Sequence, residues 1–247
     1  MNVAVILAGG VGSRLGANIP KQYIEVKGKP IIVYTLERFQ QAEAIDYIEV
    51  VCAAEYVEYV KALGRQYGIE KLRWVAEGGS ICQESIRNGV FALQGECGPD
   101  DIVMLHMSVS PMISNGTIEE AIRVCKLKGN SFAVQPCLFC MCKNVNAEWS
   151  DQNAYKEDYL GLNMPWTFQY REIYELYKTA YEKNIGTDLK SYTPSLMFDM
   201  GKKAYLFRDN DENRLKITTR ADLDLFEAYL ILQEQRKSKD IANSGGE

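Results

Sequence analysis

The side chains of this sequence that could do chemistry are concentrated in its first thirty residues. An apolar run at residues 3–7 leads directly into Ala8-Gly9-Gly10-Val11-Gly12-Ser13-Arg14, and Pro20-Lys21-Gln22-Tyr23 follows. Glycines allow backbone N–H groups to approach phosphate oxygens, because no Cβ stands in the way. The cations Arg14 and Lys21 would neutralise the charge of those oxygens. The pattern therefore predicts a binding site for a nucleoside triphosphate.

Two common phosphate-binding motifs do not describe this segment. A Walker loop ends in Gly-Lys-Ser/Thr, which is absent here. The dinucleotide-binding pattern G-x-G-x-x-G fails because its third glycine would fall at Leu15, whereas Gly16 comes one residue late. The same glycines could also form a tight turn that binds nothing. The two cations that follow favour the nucleotide site over that simpler interpretation.

Length and composition favour one α/β domain. The chain has 247 residues, of which 47% are hydrophobic, enough for one substantial core. Its net charge of −5 gives no reason to expect nucleic acid or a membrane surface as a partner. We see no export signal, and no apolar run approaches the ~20 residues that span a bilayer. We therefore expect a cytoplasmic protein.

The seven cysteines are an odd number, which together with the absence of an export signal favours free thiols in a reducing compartment. Cys137, Cys140 and Cys142 are close enough in sequence to suggest a metal site. However, the chain has a single histidine and no second CxxC, and cysteine in a strand behaves as a small apolar residue.

Apolar segments and amphipathic segments alternate along the chain. This order predicts a mainly parallel, twisted sheet with helices on both faces, in which ligands bind beyond the carboxyl ends of the strands. The turn after Leu7, the Gly78-Gly79 turn and the segment after Leu105 would all lie at that edge. We predict strands at residues 2–7, 47–52, 72–75, 102–106, 132–136, 204–207 and 216–218, and helices at residues 30–40, 55–67, 83–93, 116–128, 170–184 and 221–236.

The pattern changes between residues 140 and 164. This stretch is polar and has no clear period, and a loop of this length is usually functional or an oligomerisation arm. Residues 239–247 end in Asn-Ser-Gly-Gly-Glu and are expected to be a flexible tail. The predicted domain therefore covers residues 1–238, with a protruding arm at about residues 140–164.

Several blocks along the chain resemble the cytidylyltransferases that make CDP-activated polyol phosphates. The nearest members act on 2-C-methyl-D-erythritol 4-phosphate, for isoprenoid biosynthesis, or on ribitol 5-phosphate, for wall and capsule polymers. The first block is the segment from Leu7 to Arg14 with its Pro-Lys-Gln-Tyr continuation and Gly28-Lys29-Pro30. Further blocks are Glu77-Gly78-Gly79, Gln83-Glu84-Ser85, Asn88-Gly89, His106, Pro111, Thr167-Phe168-Gln169, Thr187-Asp188 and Leu215-Lys216-Ile217-Thr218-Thr219 with Asp222-Leu223.

This resemblance implies a Rossmann-like nucleotidyltransferase domain, and a reaction in which a polyol phosphate oxygen attacks the α-phosphorus of CTP and pyrophosphate leaves. It implies Mg²⁺ (or Mn²⁺) on the triphosphate and a homodimer formed through the arm. The implied catalytic residues are Arg14, Lys21 and Lys216. The implied nucleotide-binding residues are Ala8, Gly9, Gly10, Gly12, Gly79, Ser85 and His106, and those for the second substrate are Thr187, Asp188 and Arg214.

Other positions depart from the family's pattern. The third block normally reads His-Asp-Ala-x-Arg-Pro, but here Met107 replaces the aspartate and Ser110 replaces the arginine. A thioether cannot replace a carboxylate as a ligand of Mg²⁺, so the residues that bind the metal are left unassigned. In the second block, Cys82 stands where an arginine is usual. The triphosphate half of the pattern is retained, whereas the acceptor half differs.

Three interpretations follow from these departures. In the first, the protein is an active cytidylyltransferase with a different acceptor, and Arg208, Arg214 or Lys143 supplies the lost charge. In the second, it binds a nucleotide without catalysis. In the third, it is a nucleotidyltransferase that uses UTP or dTTP and a sugar 1-phosphate. We favour the first because Arg14, Lys21 and Lys216 are all retained. His106 has a simpler interpretation as well, as a hydrogen-bonded structural residue at a strand end.

Overall fold

A computed structural model of the chain describes residues 1–10, 19–186, 192–209 and 215–244. Its strands are β1 (Asn2–Ala8), β2 (Glu25–Val26), β3 (Lys29–Pro30), β4 (Tyr47–Cys52), β5 (Leu72–Glu77), β6 (Ile102–Met107), β7 (Asn130–Pro136), β8 (Met141–Cys142), β9 (Asn153–Ala154), β10 (Leu160–Gln169) and β11 (Leu206–Arg208). Its α-helices are α1 (Ile31–Gln41), α2 (Val57–Gln66), α3 (Cys82–Ala92), α4 (Asn115–Lys128), α5 (Tyr170–Glu182), α6 (Thr193–Asp199) and α7 (Arg220–Ser244).

Seven of the strands form one sheet, in the order β11-β7-β10-β6-β1-β4-β5. All neighbouring strands run parallel except β10, which is antiparallel to both β6 and β7. The central strand β1 is buried from Val3 to Ala8, because helices cover both faces of the sheet. The prediction of a mainly parallel α/β sheet with helices on both faces is therefore confirmed.

Two layers of apolar side chains hold the helices against the sheet. On one face, Leu36 and Phe39 of α1 and Ile118 of α4 pack against Ala4 and Ile6 of β1. On the other face, α3, α5 and α6 pack against the alternate residues of β1 and β6. A smaller cluster attaches α7 to the loop after β6, through Phe226, Ile217 and Val109. Met107, at the end of β6, packs against both the cluster that contains α6 and the cluster that contains the start of α7.

The structure corrects the predicted arm and identifies a helix that the sequence analysis did not predict. Residues 160–164, assigned to the arm, begin the ten-residue strand β10. Pro165 interrupts the pairing of β10, since the register with β7 shifts between Asn163 and Trp166, and this irregularity hid the strand from a search for alternating residues. Helix α6 was not predicted because its seven residues are too short for a helical period to emerge. The part of the arm outside the main sheet contains the β8–β9 hairpin.

The structure also differs from the prediction at residues 216–218 and at the end of α7. No strand forms at residues 216–218, because the Lys21 ammonium rather than a neighbouring strand donates to the carbonyl of Ile217. Helix α7 extends to Ser244, beyond the boundary at residue 238 that the sequence analysis placed before a flexible tail. Residues 239–244 contain neither glycine nor proline, so nothing in this stretch interrupts a helix before Gly245.

His106 belongs to the core. Its side chain is fully buried, its ring lies 5.2 Å from the ring of Phe39, and its Nε2 donates to the carbonyl of Ser110 at 2.9 Å. This arrangement matches the simpler interpretation of His106 as a hydrogen-bonded structural residue at a strand end, and the nucleotide contact predicted for it stays a prediction. Burial lowers the pKa of this imidazole to about 4, although the hydrogen bond to Ser110 opposes the shift.

We expect His106 to make the stability of the protein depend on pH. As the pH falls below about 6.5, the unfolded chain takes up a proton that the folded protein does not accept until about pH 4. The free energy of unfolding should therefore decrease by up to about 3 kcal/mol over that range from this group. His106→Gln does not titrate, so the difference between wild type and variant isolates the effect. Urea unfolding at pH 5 and pH 8 measures it, and parallel changes in both proteins would contradict a buried neutral imidazole.

Candidate active site

The carboxyl ends of neighbouring parallel strands bring three loops together. The N–H of Gly78, after β5, donates to the carbonyl of Cys52 at the end of β4 at 2.7 Å. The N–H of Ser108, after β6, donates to the carbonyl of Leu7 in β1 at 3.0 Å. The turns after β1, β5 and β6 therefore lie at one edge of the sheet, as the sequence predicted.

Ser85 lies between the two glycine turns. Its Oγ accepts a hydrogen bond from the N–H of Gly79 at 3.1 Å and donates to the carbonyl of Ile81 at 3.1 Å. A Cβ placed on Gly9 would lie 3.2 Å from this hydroxyl oxygen, and one placed on Gly78 would lie 2.9 Å from it. A side chain at Gly78 would therefore force Ser85 to shift, and one at Gly9 would make a tight contact with it. The structure thus groups three residues predicted to bind the nucleotide, Gly9, Gly79 and Ser85.

The start of α3 holds the second turn in place. One carboxylate oxygen of Glu84 accepts from the N–H of Ser80 at 2.7 Å and from its hydroxyl at 2.6 Å. These two bonds hold the pKa of Glu84 below its ordinary value. The side chain thereby satisfies a backbone donor at the beginning of the helix, which keeps the turn in one conformation.

The two other nucleotide-binding residues in the described part of the first loop have different surroundings. Ala8 is buried, and its carbonyl accepts a hydrogen bond from the Gln22 side-chain amide. Gly10 is exposed, and a Cβ placed there would meet no atom within 4 Å. Five predicted site residues, Gly12, Arg14, Thr187, Asp188 and Arg214, lie outside the described residues.

Lys21 connects the beginning of the chain to the segment that contains Lys216. It belongs to a short 3-10 helix, Lys21–Tyr23, and its ammonium donates to the carbonyl of Ile217 at 3.1 Å. The N–H of Ile217 donates in turn to the carbonyl of Val109 at 2.9 Å, in the loop after β6. Two of the predicted catalytic residues, Lys21 and Lys216, therefore belong to chain segments in direct contact.

A capping box fixes the other side of the Lys216 segment. The Asp222 carboxylate accepts from the N–H of Thr219, and from the N–H and the hydroxyl of Thr218, at 2.7–2.8 Å. The Thr219 hydroxyl accepts from the N–H of Asp222 at 3.3 Å, which completes the reciprocal pair. Partial burial raises the pKa of Asp222, but these hydrogen bonds outweigh it, and the net pKa lies below the ordinary value.

A cavity of about 310 Å³ opens beside Lys216. Two of its lining residues, Met107 and Ser110, are the positions at which the chain departs from the pattern in the third block. Cys82, the departure in the second block, is close by: burial raises the pKa of its thiol and the charge of Lys216 opposes that shift. Strand β10 and the start of α6 complete the lining with Leu162, Asn163, Met164, Trp166, Tyr192, Pro194 and Ser195.

The sequence analysis did not assign any of those β10 and α6 residues to the site. No motif marked them, because they reach the cavity only through the antiparallel insertion of β10 between β6 and β7. Among the described lining residues, the sequence analysis assigned only Lys216 to catalysis.

The described residues contain no group of three or more His, Cys, Asp or Glu side chains that could hold a metal ion. Asp209, a carboxylate close in sequence to Arg208, is buried and accepts a hydrogen bond from the Thr117 hydroxyl at 2.8 Å. Cys137, Cys140 and Cys142 are free thiols. The protein groups in this part of the chain thus provide no dedicated metal cage.

In the structure the arm corresponds to residues 137–160, which connect β7 to the start of β10 and differ from the predicted bounds of 140–164. These residues expose many large apolar side chains. Phe139 is 79% exposed and Tyr155 is 66% exposed. An accumulation of this kind on one segment is typical of an interaction surface, whereas single exposed apolar residues are ordinary. The other exposed members of the segment are Leu138, Val145, Trp149, Tyr159 and Leu160.

Comparisons with known sequences agree on one family. A family model described as 2-C-methyl-D-erythritol 4-phosphate cytidylyltransferase matches residues 2–232. The chain is 36% identical over 234 residues to a ribitol-5-phosphate cytidylyltransferase of Lacticaseibacillus paracasei, covering 93% of this chain and 98% of that protein. It is 32% identical over 231 residues to a 2-C-methyl-D-erythritol 4-phosphate cytidylyltransferase of Clostridium novyi, covering 93% and 96%.

Solved structures share the fold. A 4-diphosphocytidyl-2C-methyl-D-erythritol synthase from Anaerococcus prevotii superposes with a TM-score of 0.76 at 22% identity, covering 93% of this chain and 96% of that one. A 2-C-methyl-D-erythritol 4-phosphate cytidylyltransferase from Thermus thermophilus gives 0.72 at 20% identity, covering 93% and 99%. Among the described residues, no helix has both the length and the apolar character needed to cross a membrane.

The capping box leads to a stability prediction. Asp222→Ala leaves the N–H groups of Thr218 and Thr219 without their acceptor and should lower the free energy of unfolding by about 1–2 kcal/mol. Asp224→Ala is the matched control, because Asp224 is exposed and pairs only with exposed Arg220 among described partners, so we expect a change below about 0.5 kcal/mol. Urea unfolding at pH 7 compares the two, and equal effects would contradict the role of the cap.

Proposed function

The chain belongs to the 2-C-methyl-D-erythritol 4-phosphate cytidylyltransferase family, and we propose that it transfers CMP from CTP to ribitol 5-phosphate with release of pyrophosphate. The observation that carries this proposal is the cavity beside Lys216, at the carboxyl end of β6, which is the neighbour of the strand β1 that leads into Gly9. The choice of ribitol 5-phosphate is supported by the Lacticaseibacillus relative, which is named a ribitol-5-phosphate cytidylyltransferase and is similar over nearly its whole length.

In this reaction the protein positions the two substrates and neutralises negative charge. An oxygen of the acceptor phosphate forms a bond to the α-phosphorus of CTP, and the bond from that phosphorus to the bridging oxygen of pyrophosphate breaks. Negative charge grows on the oxygens that are transferred and on the leaving group, so fixed cations lower the barrier. Lys216 would neutralise charge on the α-phosphate and the acceptor phosphate, while Lys21 and Arg14 would neutralise charge on the triphosphate.

The cavity lining suits a sugar alcohol. Ser110, Asn163 and Ser195 offer neutral donors and acceptors for hydroxyl groups. Met107 and Trp166 offer apolar surface to the carbon chain. Lys216 is the only cation among the described lining residues, so the acceptor phosphate would lie at that end.

A second acceptor has its own support. The family model and the Clostridium novyi relative carry the name of 2-C-methyl-D-erythritol 4-phosphate, a precursor in isoprenoid biosynthesis. The apolar side chains of Met107 and Met164 could accommodate its methyl branch. The two acceptors are compared directly in the experiment below.

We propose that Mg²⁺ enters with the nucleotide. The described cavity lining contains no carboxylate, and Met107 offers only a thioether, which is a poor ligand for this hard cation. Triphosphate oxygens would then be ligands of the ion, and the ion would supply charge neutralisation there.

We also propose a homodimer formed through the arm. The exposed aromatic side chains of residues 137–160 would be covered by a second copy of the same surface. Dimerisation would remove this apolar surface from water, which is energetically favourable.

The transferase proposal is tested by pyrophosphate release with CTP, Mg²⁺ and a panel of acceptors. We expect turnover with ribitol 5-phosphate to exceed turnover with 2-C-methyl-D-erythritol 4-phosphate, and CTP to exceed UTP and dTTP. Lys21→Ala and Lys216→Ala should each lower kcat/KM by about 10²–10³-fold, because each removes a charge from the phosphates. Lys126→Ala, an exposed lysine of α4, is the control and should stay within about twofold.

Two outcomes would contradict this account. Higher turnover with 2-C-methyl-D-erythritol 4-phosphate would contradict ribitol 5-phosphate as the acceptor, but would still support cytidylyl transfer. No turnover with any acceptor, by protein that binds CTP, would overturn catalysis and favour the silent nucleotide-binding alternative.

The dimer is tested by sedimentation equilibrium at micromolar concentration. Phe139→Asp places a charge at the most exposed of the large apolar residues of the arm and should convert the dimer to a monomer. Leu127→Asp changes a comparably exposed leucine of α4, 67% accessible, and should leave the dimer intact. A monomeric wild type, or equal effects of the two variants, would argue against the arm as the interface.

A further inference from the structure

A buried chain of hydrogen bonds joins helices α3, α5 and α6. The hydroxyl of Tyr177, in α5, donates to the side-chain carbonyl of Gln83 in α3 at 2.5 Å. It lies 2.8 Å from the hydroxyl of Thr193, the first residue of α6. Because the Tyr177 proton is engaged with Gln83, the Thr193 hydroxyl is the donor of the second bond. We call Gln83, Tyr177 and Thr193 the buried relay.

All three side chains are removed from solvent. Tyr177 and Thr193 are fully buried, and Gln83 is 1% exposed. A hydroxyl buried at this depth is costly unless its hydrogen bonds are made, so each bond of the relay restrains the elements that carry it. Burial raises the pKa of Tyr177 well above its ordinary value, which keeps the phenol protonated and able to donate.

The two ends of the relay belong to different walls of the site. Gln83 is two residues before Ser85, whose hydroxyl holds the Gly79 turn on the nucleotide side. Thr193 stands between Tyr192 and Pro194, both of which line the cavity next to Lys216. Helix α6 also follows Thr187 and Asp188 in sequence, the residues predicted for the second substrate.

The two walls are not equally fixed. Helix α3 packs against β1, β4 and β5 of the sheet and against α5. Helix α6 has seven residues, and none of the side chains that the structure describes caps its N-terminus. Loss of the relay would therefore move the start of α6 and leave α3 in place.

We propose that Tyr177 is a positioning residue that sets the acceptor wall, the start of α6, relative to the nucleotide wall. The inference rests on the proposed function for the identity of the acceptor. It does not make Tyr177 a catalytic residue, because its buried hydroxyl acts through α6 and does not touch the substrates. Loss of the Tyr177 hydroxyl should therefore weaken binding of the acceptor and not of CTP, since the turns that would bind CTP keep their own hydrogen bonds.

The variant Tyr177→Phe removes the hydroxyl and keeps the ring. We expect the KM for the acceptor to rise about tenfold, while kcat and the KM for CTP change by less than about threefold. Tyr170→Phe is the matched control, because Tyr170 begins the same helix and its buried hydroxyl has no hydrogen-bond partner among the described residues. The control should stay within about twofold of wild type in all three constants.

A double-mutant cycle tests the relay itself. Thr193→Val removes the other hydroxyl and should raise the acceptor KM in the same way. The double variant should then be no worse than Tyr177→Phe by more than about twofold, because the two changes break the same bond. Additive effects would overturn the relay. A rise in the CTP KM as large as the rise in the acceptor KM would overturn the selective positioning of α6.

A measurement without substrates separates this inference from the proposed function. Amide hydrogen exchange over residues 193–199 should accelerate about fivefold or more in Tyr177→Phe, while residues 83–92 stay as in wild type. Tyr170→Phe should accelerate neither segment. Unchanged exchange in α6 would overturn the inference even if no acceptor were turned over, whereas an inactive wild type with accelerated α6 exchange in the variant would overturn only the proposed function.

Discussion

One hydrogen bond, from the Lys21 ammonium to the carbonyl of Ile217, joins segments 196 residues apart in the chain. It places the loop after β1 next to the segment that contains Lys216, and the Ile217 N–H extends the connection to the loop after β6. The parallel sheet brings the loops after β1 and β6 to one edge, and the hydrogen bonds of Ile217 attach the Lys216 segment to both. Specific bonds, including the Asp222 cap, then fix which atoms face each other.

The central part of the fold could be predicted from short apolar runs. Strand β4 has the predicted bounds, and β1 and β6 each extend one residue beyond theirs, because buried parallel strands are apolar throughout and end in turn residues. The grouping of Gly9, Gly79 and Ser85 also followed from the sequence, since each lies close after a strand end. Their position at one edge of the sheet could therefore be predicted from their spacing along the chain.

Other features depend on contacts that no local pattern shows. Strand β10 could not be predicted from its sequence, because a proline lies at its register shift. Its antiparallel position between β6 and β7 also follows no alternation of strands and helices. The buried position of His106 depends on the loop at Ser110, which folds back to accept its hydrogen bond inside the core. Residues 216–218 look like a strand, but their carbonyl partner is a lysine side chain. In each case a tertiary contact overrides the local preference.

The departures from the family pattern share one location. Met107 and Ser110 line the cavity beside Lys216, and Cys82 is close enough for that lysine to influence its thiol. The central claim is therefore a retained site for the triphosphate next to a modified site for the acceptor. A crystal structure with a non-hydrolysable CTP analogue tests it most directly. We predict the Lys216 ammonium within about 3.5 Å of an α-phosphate oxygen, and the triphosphate against Gly9 and Gly10. An α-phosphate bound away from Lys216, or a triphosphate away from the first glycine turn, would contradict the account.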